Sequence, residues 1–154
     1  MCFVHFAHLS ARVPRVLVHG NYSAPVEEAL ERGGMKVLDA GCGAGNWSLD
    51  MAKDYPKCHF TGTDKANVFP KAELPPNCEF FQADTVRGLP FADNTFDYVY
   101  QRFMFLGFST SDWAASISEL IRVTKPGALH RLSVSSLFYH DFLIYSRSIN
   151  RRLD

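Results

Sequence analysis

The chain has 154 residues, 47% of them hydrophobic and 21% charged, enough to bury the core of one domain without a staple. Lys plus Arg and Asp plus Glu are 16 each, so the formal net charge is zero. A whole-chain attraction to nucleic acid or an anionic membrane is therefore not indicated. Cys2, Cys42, Cys58 and Cys78 never form a close pair, which argues against a zinc knuckle or a redox pair. Free thiols in a reducing compartment, the cytoplasm, are the expectation.

Residues 1–20 read as a poorly ordered leader: Arg12 and Arg15 face no acid, and Pro14 interrupts any helix. His5 and His8 have the spacing of a metal pair, but a leader accounts for them better, and no metal site is expected. No apolar run reaches the roughly 20 residues of a membrane-spanning helix, so no membrane partner is expected. From Met35 onward apolar, strand-like runs alternate with helix-like segments, the mark of a parallel α/β sheet. Met35–Ala40 is the first predicted strand, running into a Gly-rich turn at Gly41–Gly45 and a helix over Asn46–Asp54 that Tyr55-Pro56 ends. Cys58–Thr63 is a second strand and Cys78–Ala83 a third, separated by a Pro-rich loop. Phe80 and Phe81 read as core. Gly88–Asn94 is a loop before a fourth strand, Thr95–Tyr100. Ser111 and Asp112 are candidate caps of a helix reaching Thr124, with Trp113, Ile117, Leu120 and Ile121 as its apolar stripe. Lys125-Pro126-Gly127 stops it before a fifth strand, Ala128–Val134, and residues 135–154 read as a C-terminal helix.

The strongest chemical signal is the acid and alternate glycines of Asp39-Ala40-Gly41-Cys42-Gly43-Ala44-Gly45, between a strand and a helix. A ligand binds where such a strand ends, and glycines let the backbone approach it without a Cβ in the way. A dinucleotide fingerprint places its third glycine where this chain has Asn46. Asp39 suits a cationic amino-acid end and would repel a pyrophosphate. Asp64, ending the second strand, is placed to accept two ribose hydroxyl hydrogen bonds, against a bland reading as a cap or surface acid. Asp84-Thr85 ends the third strand within reach of an adenine amine. Gln101 and Arg102 end the fourth, bordering a methionine end or a substrate, while Asp97 reads as structural.

The run VLDAGCGAGNWSLDMA, then FTGTD, QADTVRGLPFADNTFDYVYQRF and ELIRVTKPG resembles the class I, type 11-like methyltransferases. All four blocks agree in order and spacing, over about Ser23 to Gly127. The resemblance implies S-adenosylmethionine as cofactor. It implies an α/β, Rossmann-like doubly wound, mostly parallel sheet of strand order 3-2-1-4-5, with a core over 21–134. It assigns the methionine end to Asp39, Gly41, Gly43 and Gly45, the ribose to Asp64, and the adenine side to Asp84 and Thr85. The full candidate set adds Cys42, Lys65, Gln101 and Arg102, and Asn21-Tyr22-Ser23 looks like the family's lead-in. The implied reaction is methyl transfer to a small-molecule acceptor. A base, if one is needed, has Tyr100, His140 and Asp141 as nominees, and none is assigned.

After Val134 about 20 residues remain, too few for the family's further helix and antiparallel strand pair. The chain therefore reads as truncated after its fifth strand and lacking that pair. The fifth strand then becomes an exposed edge that predicts a homodimer or cover by the C-terminal segment. A catalytically inactive cofactor-binding remnant or regulatory module is the alternative to an enzyme. A nucleotide-binding protein of another class, such as a dehydrogenase, is weighed against by Asn46.

Overall fold

A computed structural model describes residues 26–70, 73–102, 104, 108–133 and 142–145, without the side chains of 129–133 and 142–145. The leader, Asn21-Tyr22-Ser23, His5, His8, His140 and Asp141 lie outside the described residues. Helix α1 (Glu27–Arg32) leads into β1 (Lys36–Ala40), α2 (Asn46–Asp54), β2 (His59–Asp64) and β3 (Cys78–Gln82). Then come β4 (Phe96–Arg102), α3 (Thr110–Val123), β5 (Thr124–Ser133) and β6 (Phe142–Tyr145). The sheet order is β3-β2-β1-β4-β5-β6, with β1 to β5 parallel and β6 antiparallel to β5.

The expected 3-2-1-4-5 order is present, and β1 occupies its centre. Val37, Leu38 and Ala40 are completely buried because helices cover both faces, which is why the strand is apolar without alternation. On one face α2 packs Trp47, Met51 and Ala52 against Val37, Phe60, Tyr98 and Tyr100. The Trp47 and Tyr100 rings stack at 4.1 Å, a contact worth about 0.5–1.5 kcal/mol beyond its area. On the other face α3 packs Leu120 and Val123 against Leu38, Phe96 and Val99.

Several expectations need correction. The start of α3 is capped by Ser109, not Ser111 or Asp112: Ser109 Oγ accepts from the Asp112 amide, and Asp112 accepts from the Ser109 amide. Asp112 is thus the third residue of a reciprocal capping box. Phe81 is 37% exposed, because β3 is an edge strand, and the Phe91 ring meets it edge-on. Within the segment expected to be a C-terminal helix, Phe142–Tyr145 forms β6, so one antiparallel strand is present where none was expected. The four residues FLIY are too short for periodicity to separate strand from helix, and the unpaired edge of β5 is what makes the strand form. With β6 on it, the β5 edge is not open, and the homodimer expected through that edge loses its basis.

Among the described residues no helix is long and apolar enough to cross a membrane.

Candidate functional site

The order of strands reverses between β1 and β4, and such a switch point leaves a crevice outside the carboxyl ends of the two strands. The turn Gly41–Gly45 lies there because three successive amides are drawn toward the end of β2. Gly41 N and Cys42 N donate to the Thr63 carbonyl at 2.7 and 2.9 Å, and Gly43 N donates to Asp64 Oδ2 at 2.9 Å. Asp64 Oδ1 accepts from Ala66 N at 2.8 Å, and both oxygens keep lone pairs for further donors.

The glycines divide the work. Gly43 has φ +56°, and a Cβ there would meet nothing within 4 Å. That side is an open cradle. Gly45 and Gly62 instead lie against the ring of Phe80, which any added Cβ would strike. Phe80 is in turn stacked on Phe69 at 5.3 Å. Met104 reaches back over Gly41, its Sδ 2.5 Å from where a Cβ would stand.

Asp39 is 4% exposed and accepts from Ser48 Oγ of α2 at 2.8 Å. Burial raises its carboxyl from the ordinary 3.8 to about 6, while the Ser48 bond and the Arg102 charge pull it down and the Asp64 charge pushes it up. Burial likewise pushes the Cys42 thiol far up, aided by the negative charges of Asp39 and Asp64 on either side. Cys42 is therefore a thiol that donates weakly to the Gly43 carbonyl, not a nucleophile. Arg102 folds over the Tyr100 ring, 5.7 Å from its centroid.

The structure thus brings together Asp39, Gly41, Cys42, Gly43, Gly45, Asp64 and Arg102. Asp84 stands at the end of β3, where Ala83 N donates to the Asp64 carbonyl at 3.0 Å. Its carboxylate accepts from Val86 N at 3.0 Å and lies 3.7 Å from Arg87, so it also caps its own turn. Thr85 is buried beside it. Lys65 is exposed; its carbonyl accepts from Gln82, and its charge acts on Asp112 of α3. Gln101 does not join the group. Its side chain is 1% exposed on the α3 face, with Nε2 3.4 Å from Ser116 Oγ, because alternation along β4 sends it opposite to Tyr100 and Arg102. Tyr100, a nominee for base, is 5% exposed in the Trp47 stack. Ser48 and Met104 escaped the sequence reading, and Phe80 was read as core rather than as the neighbour of the glycine turn. Ser48 alone left a signal, the i+9 spacing from Asp39 that brings an early α2 residue over the end of β1.

This donor set fits S-adenosylmethionine: a buried carboxylate for an ammonium, a second for a diol, and an open glycine cradle between them. Among the described residues no cluster of His, Cys, Asp and Glu could hold a metal ion. The chain belongs to the class I, S-adenosylmethionine-dependent methyltransferases: the family model described as a methyltransferase domain matches residues 37–127.

It is 33% identical over 117 residues to a secondary metabolism regulator laeA of Coprinopsis cinerea, covering 76% of this chain and 27% of that one. It is 35% identical over 104 residues to a demethylmenaquinone methyltransferase of Listeria welshimeri, covering 61% of this chain and 42% of that one. The chain thus spans well under half the length of these two relatives. In fold it is similar to a SAM-dependent methyltransferase of Aquifex aeolicus, with a TM-score of 0.61, 21% identity, and 87% and 72% of the two chains covered.

Proposed function

We propose that the chain is the cofactor-binding core of a methyltransferase, with its functional unit over 21–134, that moves a methyl group from S-adenosylmethionine to a small-molecule acceptor. The observation that carries this reading is the Asp64 bond to Gly43 beside an open cradle, with Asp39 buried at the start of the same glycine turn. The cofactor, when bound, supplies a methyl group already activated on a sulfonium. What the chain supplies is placement. Asp39 takes the ammonium of the amino-acid end, in a dry site where the charge pair is strong. Asp64 accepts from the ribose diol while its bond to Gly43 holds the loop against it. Asp84 and Thr85 border the adenine side. Fixing the methyl donor in one orientation is itself the larger part of catalysis for an in-line displacement. Among the described residues no side chain is assigned as a base.

The free thiols of Cys42, Cys58 and Cys78 support a reducing compartment, and we assign the cytoplasm.

Calorimetric titration with S-adenosylmethionine and S-adenosylhomocysteine tests the reading. Micromolar binding of both is expected, and Asp64→Ala should weaken it by about 1–3 kcal/mol as a charged hydrogen-bond pair is lost. No binding by a folded, monodisperse sample overturns it. Binding without product across varied acceptors would favour the inactive module over the enzyme.

A further inference from the structure

Ser48 is the third residue of α2 and is fully buried, and its hydroxyl donates to Asp39 Oδ2 at 2.8 Å. A serine inside a helix ordinarily returns its hydroxyl to the carbonyl four residues earlier or turns it to water. Ser48 does neither, because its single proton crosses from the helix to the sheet. The neighbouring side chains keep that crossing in place. Trp47 stacks on Tyr100 at 4.1 Å, and Tyr100 is the register partner of Asp39 on the next strand. An aromatic stack therefore ties the first turn of α2 to the end of the sheet beside the hydroxyl bond.

A carboxylate has two oxygens, and this bond makes them unequal. Oδ2 is committed to Ser48, while among the described residues no donor reaches Oδ1. A hydrogen bond to the charged form also favours that form. It opposes burial, which pushes the Asp39 carboxyl up to about 6. Two other charges act there: Arg102 of β4 pulls the value down, and Asp64 of β2 pushes it up. Cys42 in the glycine turn and Cys78 of β3 feel the Asp39 charge in their turn. Burial holds the Cys78 thiol at about 11 and pushes that of Cys42 far up, so neither titrates near neutral pH.

We infer that Ser48 is a positioning residue for ligand binding: its hydroxyl holds one oxygen of the Asp39 carboxylate and so turns the other to the crevice. The same bond favours the ionised carboxylate, the form that receives a cation. Ser48 does not touch the ligand, and its whole effect passes through Asp39. This rests on the methyltransferase reading above, in which Asp39 takes the cationic group of the cofactor.

The 154-residue chain is titrated with S-adenosylhomocysteine near pH 6 and near pH 7.5, as wild type, Ser48→Ala, Ser48→Thr, Asp39→Asn and the Ser48→Ala, Asp39→Asn double variant. Ser48→Ala is expected to weaken binding about tenfold at the lower pH and about threefold at the higher. The lost bond frees the carboxylate to turn at both, and lets it take a proton at the lower. Ser48→Thr keeps the hydroxyl and should restore the wild-type pH trend. In the Asp39→Asn background Ser48→Ala should change affinity by less than about twofold, since no carboxylate remains to act through. Weakening of equal size at the two pH values, or weakening that persists with Asp39→Asn, overturns the inference, because Ser48 then only packs α2. Unchanged affinity of Ser48→Ala at both pH values overturns it too. If wild type binds at neither pH, the cofactor reading fails and the inference with it, a result distinct from a variant that matches wild type. Alanine favours a helix, so Ser48→Ala should fold. If thermal unfolding shows that it does not, Ser48→Cys, a weaker donor, carries the comparison and should show the same trend in smaller size.

Discussion

At the amino ends of β1 and β4, the Asp97 carboxylate accepts from the Lys36 amide at 2.9 Å and from Lys125 Nζ at 2.6 Å. At the carboxyl ends of the same two strands, Asp39 is buried with a neutral hydroxyl as its donor and a second carboxylate nearby. The first end closes its charges on each other and serves stability. The second holds two carboxylates against the Arg102 charge, and on the proposed reading a cationic ligand completes it. A carboxylate displaced toward neutral pH in a cleft is where function is to be sought, and the paired one is not.

The contrast can be broken from either side. The largest expected effect is at Asp39→Asn, which keeps shape and removes charge. Binding of S-adenosylhomocysteine should weaken by about 2–3 kcal/mol, while the unfolding midpoint at pH 7 rises because a buried charge is gone. A midpoint that falls would mean that Asp39 holds the fold rather than the ligand.

The same group sets opposite pH trends. Its folded value lies above the ordinary 3.8, at about 6, so the native state holds more protons across that interval. Its contribution to stability therefore declines as pH rises from 3.8 to about 6 and is flat above. Ligand affinity should rise over the same window, as Asp39 ionises. Parallel trends in calorimetry and thermal unfolding would refute the assignment.

Next in size is the pair Gly45→Ala and Gly43→Ala. The first must displace the Phe80 ring as well as accept a left-handed backbone, and should cost the fold about 2–4 kcal/mol. The second meets open space and should cost about 1–2 kcal/mol in stability for its backbone alone. It should nonetheless lose ligand affinity, because its new methyl stands in the cradle. Equal loss of stability in denaturant unfolding would undo this division of the glycines.

The smallest effect belongs to Asp97→Ala. Its partner Lys125 has a side chain 43% exposed, so the ion pair is worth no more than about 1 kcal/mol. Ligand affinity should not move, and a change in it would erase the distinction between the two ends.

Much of the candidate site's geometry was legible because its signals are local. Asp39, the glycines and Asp64 follow from strand ends and spacing, and the β1 to α2 unit falls where an apolar run meets a Gly turn. The orientation of Gln101 was also within reach. Tyr98 and Tyr100 share a face, so period-two counting puts Gln101 on the other, and only the strand's continuation to Arg102 hid this. Ser109 lost to Ser111 because neighbouring hydroxyls offer equivalent caps until the helix phase is known. The strand β6 and the approach of Phe80 to Gly45 were not legible. Both are set by contacts between segments far apart in the chain, which no local pattern encodes.

Phe80 has a consequence for which substitutions the turn accepts. It lies against Gly45 at the helix start and Gly62 within β2, two positions 17 residues apart that share one ring as their neighbour. A side chain at either glycine must displace that ring, and a smaller residue at position 80 would relieve both contacts together. The three positions are coupled in shape through one ring, so a change at one alters what the other two can accommodate.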